Sequence, residues 1–326
     1  MGIKSLIKSS LPPGFFDAAL APFVYGGGYL LRFLRRFGLN RMPLCRSILF
    51  SLGVFPLLEW YYDPMFNPSH LRRSLREDRK LDAIDFDVEG QLSMLSEFDF
   101  SSELLAIPGT ESGQHQFHYA NEYFGPGDSE YLYNMIRRFK PRRMIEIGSG
   151  FSTLMAKRAM DANRKDDPGY FCEYTCIEPF ESGWLEEAGF RVLRQEAQDV
   201  DIELFKSLRE GDFLFIDSSH MIRPQGDVLY EFLEILPALN SGVFVHVHDI
   251  CTPKDYLDRW IYEDTRFWNE QYLLEAFLSF NNSFRVTGAL NFLKHHYPKE
   301  LGAKCPVLVE EMARMEPTSF WMVKTR

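Results

Sequence analysis

The chain has 326 residues, of which 45% are hydrophobic, 15% aromatic and 25% charged; this balance excludes general disorder and predicts a globular protein of two cooperating units. Forty-six Asp and Glu against 36 Lys and Arg give a formal charge of −10, a poor field for gripping a phosphate backbone, so no nucleic-acid partner is expected. The charge is uneven: residues 1–46 hold seven basic side chains (Lys4, Lys8, Arg32, Arg35, Arg36, Arg41, Arg46) against one acid, Asp17, which makes +6 there and −16 in the remainder.

The first 60 residues mix apolar runs with arginines. Gly26 to Gly28, the arginines and Pro56 interrupt them before they reach the roughly 18 apolar residues of a spanning helix. A basic, aromatic-rich helical segment of this kind either packs on the rest of the protein or lies on an anionic membrane surface as a peripheral contact. Residues 70–80 form a solvated charged face. Residues 81–105 are acidic, with helical spacing of Leu, Met and Phe. The Gly- and Pro-containing stretch 107–116 reads as a connection, placing a boundary near residue 115 between an N-terminal helical cap (1–115) and a catalytic domain (116–326).

From residue 128 the texture alternates between helix and short hydrophobic strand. A helix from Asp128 to about Phe139 precedes the strand RMIEIG, and a second helix from Ser152 to Met160 precedes YTCIEP. A helix near Trp184, FRVLR, a helix near Leu204, DFLFID, a helix over Gly226 to Leu236 and GVFVHVHD follow. A long helical stretch (RFWNEQYLLEAFLSF) then leads to FRVTGAL and SFWMVK, expected to pair as an edge hairpin. Strands separated by helices predict an α/β fold: a doubly wound, mostly parallel seven-stranded sheet with an N-terminal helical region. Five scattered cysteines and no evident cleavable signal predict reduced thiols and a cytoplasmic setting, peripheral to a membrane if the first segment touches one. Cys172 and Cys176 lack a second Cys or His pair at zinc-ligand spacing.

Open α/β sheets bind ligands beyond the carboxyl ends of their strands, so the residues there carry the chemistry. After the first strand, the run from Glu146 to Thr153 offers Glu146, Gly148, Ser149, Gly150 and Ser152 as cofactor-binding candidates; the glycines admit a close approach and the following helix offers free amides. Thr153 stands where a dinucleotide fingerprint wants its third glycine, which counts against nicotinamide. Glu178 is placed to accept hydrogen bonds from ribose hydroxyls, and Asp199 to meet an adenine amino group. Asp217 ends the fourth strand ahead of Ser218, Ser219 and His220; His246, His248 and Asp249 close the fifth. One reading of this cluster is a metal site of Asp217, His248 and Asp249 with His220, or else His246, as proton acceptor; the other is a hydrogen-bonded carboxylate and histidine cluster without metal. Arg223 and Asp227 follow closely enough to orient the loop or touch substrate.

Taken together, IEIGSGFST, the acidic IEP, FIDSSH with Asp227 downstream, and LPALNSGVFVHVHDI resemble the class I S-adenosylmethionine-dependent methyltransferases over residues 115–326. They are most similar to a bacterial branch with an aspartate-x-x-histidine loop and a histidine-aspartate pair after strand five. The resemblance implies a Rossmann-like fold, S-adenosylmethionine as cofactor, Gly148 and Gly150 beside its methionine moiety and Glu178 on its ribose. Related sugar and antibiotic O-methyltransferases bind magnesium through acids at the ends of strands four and five. Asp217 and Asp249 match those positions and imply Mg2+ or another divalent cation, although His248 stands where an acid is usual. Asn240-Ser241-Gly242 replaces the usual paired glycines before strand five.

The expected activity is methyl transfer to a hydroxyl of a sugar or other polar small molecule. His220 is the first candidate base and His246 the second, with Trp268, Asn269 and Gln271 helping to close the pocket. Two rival readings are a metal-dependent hydroxylase or hydrolase built on Asp217, His220, His248 and Asp249, and a non-catalytic scaffold with a cofactor-type fold. A homo-oligomer is compatible with either.

Overall fold

A computed structural model describes residues 13–180 and 183–326; the Lys4 and Lys8 portion of the basic segment lies outside the described residues. Contacts divide the chain at 72/73, upstream of the boundary expected near residue 115. The first unit contains α1 (Pro13–Phe37), α2 (Pro43–Ser51) and irregular chain whose Asp63 is ion-paired to Arg35 of α1. Among the described residues no helix is long and apolar enough to cross a membrane.

The second unit is built on a sheet of order β3-β2-β1-β4-β5-β7-β6. Its strands are β1 (Arg143–Ile147), β2 (Glu173–Ile177), β3 (Arg191–Leu193), β4 (Phe213–Ile216), β5 (Phe244–Val247), β6 (Phe284–Ala289) and β7 (Phe320–Lys324). The first five run parallel; β7 is antiparallel to both β5 and β6. The two closing strands therefore pair as expected, but β7 is inserted between β5 and β6 and only β6 stands at the edge. The composition of β7 explains this: every one of its residues is buried, Trp321 and Met322 completely, which suits an interior position.

The period-two alternation of the strands separates two cores. Phe213 and Phe215 of β4 face one cluster with Tyr131, Met155 and Trp321, while Leu214 and Ile216 face the other with Val245, Val247 and Phe232. The first cluster also takes in Leu95 and Leu104 from α3 (Val88–Ser96) and α4 (Ser101–Leu105), and Gln91 of α3 accepts a 2.7 Å bond from the Ala289 amide of β6. Helices α5 (Asp128–Phe139) and α6 (Phe151–Asp166) cover the same face. The helix expected over Gly226 to Leu236 forms over 227–238, with a π-helical turn at Glu231–Ile235 in its middle. The long helical stretch near the end contracts to Glu270–Leu278, because Trp268 is held against His220 and Trp260, and Asn269 accepts from the Ile222 amide. The five cysteines are free thiols, four of them buried.

Candidate active site

Backbone hydrogen bonds register the strand tips. Gly148 N donates to Ile177 O (3.0 Å), Asp217 N to Ile147 O (2.9 Å) and His248 N to Ile216 O (2.9 Å), so the loops after β1, β2, β4 and β5 start at one level. At the β1 tip Gly148 has φ +75°, and a Cβ built there would lie 1.9 Å from the carbonyl oxygen of Asp217. Only glycine lets the two loops touch. A Cβ at Gly150 would meet no protein atom, leaving open space beside the N-terminus of α6.

Two cavities open at this junction. One of 520 Å3 is lined on one side by Gly148, Ser149, Gly150 and Ser152 and on the other by His118, Tyr123 and Trp184; the second, of 200 Å3, is lined by Pro179, Ala197, Gln198, Arg223 and Asp227. Gly148, Glu178 and Asp217 line both. The Glu178 carboxylate accepts from the Ser149 amide (3.2 Å) and the Phe180 amide (3.0 Å), which holds it at the mouth shared by the cavities.

Glu146 has a different position from the other cofactor candidates. It is fully buried beneath the glycine loop and accepts 2.6 Å bonds from Ser152 Oγ, Thr153 Oγ1 and Tyr174 OH. Burial pushes its carboxyl up to about 7 despite those three donors. Its place is to hold the loop from below. Asp199 is exposed in the turn Ala197–Asp199, whose Ala197 and Gln198 are the members that line the smaller cavity. Asp227 accepts from both the amide (2.9 Å) and the hydroxyl (2.6 Å) of Ser219 and so fixes the loop after β4.

The ionisable cluster beyond β4 and β5 centres on His220. Its Nε2 lies 3.3 Å from Asp217 Oδ1 and 3.4 Å from Asp249 Oδ2, and its Nδ1 lies 2.8 Å from Glu270 Oε2. Burial opposes charge on this imidazole, but the hydrogen bonds to Asp217 and Glu270 and the field of Asp249 outweigh it, raising the ring well above its usual range. Burial acts against the Asp217 carboxylate too, yet His248 and His220 bring it below its usual range. Glu270 is raised chiefly by burial. His220 (φ +59°) and Asp249 (φ +57°) both adopt the left-handed region that few side chains tolerate, a conformation costing on the order of 1 kcal/mol each and common where side chains are aimed for function.

The ligand atoms of Asp217, His220 and Asp249 lie within 4.8 Å of one another, a donor set suited to a divalent cation. Glu270 behind Nδ1 points the opposite nitrogen at that position, the usual outer partner of a metal-binding histidine. The trio differs from the expected Asp217, His248 and Asp249. His248 reaches only the far oxygen of Asp249, at 3.6 Å, and leans on Phe124. His246 is also displaced from its expected role as a base: it is fully buried between Phe215, at 3.8 Å between ring centroids, and Trp321, with Nε2 2.9 Å from Ser319 Oγ. Burial brings it well below its usual range, and it lines neither cavity at the junction. Trp268, Asn269 and Gln271 brace the loops from behind instead of closing a cavity: Gln271 accepts from the Cys251 amide and donates to Lys254 O.

Residues 145–250 match a family model described as a methyltransferase domain. An uncharacterized protein of Archaeoglobus fulgidus is 32% identical over 166 residues, which span 46% of this chain and 72% of that protein. The Streptomyces achromogenes O-methyltransferase TomG, solved with S-adenosylmethionine, is 14% identical with a TM-score of 0.37, over 74% of this chain and 92% of that one. The methyltransferase MycE of mycinamycin biosynthesis, solved with Mg, S-adenosylhomocysteine and mycinamycin VI, is 14% identical with a TM-score of 0.35, over 72% of this chain and 55% of that one. The methyltransferase-domain match covers β1 through the tip of β5, the stretch that builds the glycine loop and both carboxylate tips. Residues 145–250 thus form a methyltransferase domain, set in a mostly parallel seven-stranded sheet in which β7 runs antiparallel between β5 and β6.

Proposed function

We propose that the enzyme transfers the methyl group of S-adenosylmethionine to a hydroxyl oxygen of a sugar or another polar small molecule. The observation that carries this reading is the sharing of Gly148, Glu178 and Asp217 by two cavities. A nucleoside with a long substituent fits such a pair: adenine beside Ala197 and Gln198, ribose hydroxyls on Glu178, and the methionine moiety over Gly148 and Gly150. The acceptor then enters the remainder of the larger cavity, past Tyr123 and Trp184.

The bound cofactor supplies an activated methyl, so the protein's work is alignment of oxygen, methyl and sulfur and exclusion of water. Asp217, His220 Nε2 and Asp249 are the residues that would hold a divalent cation, which supplies charge that lowers the pKa of an acceptor hydroxyl. His220, held as an imidazolium by three carboxylates, has no lone pair to offer as the general base expected of it; it orients the two aspartates and becomes a ligand only when a cation displaces its Nε2 proton. Asp217 and Asp249 lie 3.3 and 3.4 Å from His220 Nε2 and hold its charge between them. Incubating the enzyme with an isotopically labelled methyl donor and a small-molecule extract tests the reaction. Mass spectrometry is expected to find label on an oxygen of a polar metabolite; label only on nitrogen or carbon products, or none, would contradict the assignment.

A further inference from the structure

The methyl-transfer reading leaves the first unit unused, and that unit cannot cover its own apolar surface. Among its described residues only Leu34 and Pro56 are buried. Phe15, Phe23, Leu30, Phe33 and Phe37 of α1 recur at helical spacing on one side and stand exposed, Phe23 by 77%. The opposite side carries Asp17, Arg32, Arg35 and Arg36. The helix also contains Pro22 and Gly26 to Gly28, residues that each weaken a helix in water by about 1 kcal/mol or more, and it has no buried face to offset them. Beyond α2, Trp60, Tyr61 and Tyr62 form a cluster of edge-on rings, Tyr61 exposed by 88%.

We propose that this unit is a peripheral membrane anchor, with the apolar face of α1 and the Trp60 to Tyr62 cluster lying in the interface of an anionic phospholipid bilayer. An amphipathic helix with aromatic residues on one face and arginines on the other is the form that lies in the headgroup plane. Trp and Tyr are the side chains that settle at that depth. Arg32, Arg36, Arg41 and Arg46 are exposed and match anionic headgroups. The helix is not long and apolar enough to cross a membrane, which a helix lying in the plane of the surface does not need to be.

Sedimentation of the full chain with vesicles of phosphatidylcholine and phosphatidylserine at about three to one tests the proposal. The wild type is expected to sediment with them. Phe23→Ser combined with Phe33→Ser should lower the partition at least about tenfold, and Arg36→Gln and Arg41→Gln about fivefold for each charge removed. Binding of S-adenosylhomocysteine, measured in parallel, should be unchanged and reports an intact methyltransferase unit. Failure of the wild type to sediment, or equal sedimentation of the phenylalanine variant, overturns the anchor. So does a concentration-dependent dimer that disappears in that variant without any vesicle binding, which would assign the face to a second copy.

Discussion

Glu270 Oε2 stands 2.8 Å from His220 Nδ1 and thereby turns the other ring nitrogen toward Asp217 and Asp249. Fifty residues separate the two side chains, and their contact helps Asp217 and Asp249 hold the charge of the ring and sets the direction of its other nitrogen.

A cation at this cluster must displace the His220 proton. Because the ring is raised well above its usual range, affinity for Mg2+ or Mn2+ should climb about tenfold per pH unit until that raised value is passed, then level off. In the cation-free protein the sign for stability is opposite: the contribution of His220 is full below about 6.5 and is lost as pH rises through the raised value. Calorimetric titration between about pH 6 and 8 checks the first statement; a flat affinity would remove His220 from the donor set. Glu270→Gln should weaken the cation about ten- to hundredfold while leaving S-adenosylhomocysteine binding in place.

Glu146 ties the glycine loop to β1 and β2 through three hydroxyls. Glu146→Ala leaves those donors without a partner and should cost about 2–4 kcal/mol in denaturant unfolding. Glu146→Gln is the milder change and has a pH signature. Burial raises the wild-type carboxyl from 4.5 to about 7, so its contribution is present below the lower value and lost as pH rises through the upper. The glutamine variant should flatten stability over that window. An unchanged pH dependence would show that the burial of Glu146 does not shift its ionisation.

Gly148 and Gly150 should separate folding from binding. Gly148→Ala drives a Cβ against the Asp217 carbonyl and should cost at least about 2 kcal/mol of stability together with cofactor affinity. Gly150→Ala meets no protein atom and should lose less than about half as much stability while still weakening S-adenosylhomocysteine. Equal thermal shifts in the two variants would contradict the close approach of the β1 and β4 loops.

If Asp249 completes the cation site with Asp217 and His220, Asp249→Asn should lower kcat by about a hundredfold or more and leave the dissociation constant of S-adenosylhomocysteine within about twofold of wild type. Rates and binding constants for the same preparation decide it. Loss of cofactor binding in this variant would place Asp249 in the cofactor pocket instead.

Much of the framework was legible because its signals are local. The seven strands alternate or run apolar over three to six residues, and the glycine run, Glu178 and Asp217 follow directly on strand ends. Three things were not legible. The insertion of β7 between β5 and β6 depends on which strand has partners on both sides, and burial of Trp321, not spacing, decides it. Glu270 reaches His220 from a distant helix, so no pattern near either residue announced the pair. His246 and His248 look equivalent on a period-two strand, yet one strand step places His246 between Phe215 and Trp321 and His248 near the tip beside Asp249.

Calorimetric titration with S-adenosylhomocysteine tests the shared cofactor site most directly. The wild type should bind at one site per chain, and Glu178→Ala should weaken binding about ten- to hundredfold with the fold intact by circular dichroism. Absence of binding to the wild type, or equal affinity in Glu178→Ala, would contradict the assignment of Gly148, Glu178 and Asp217 to the cofactor.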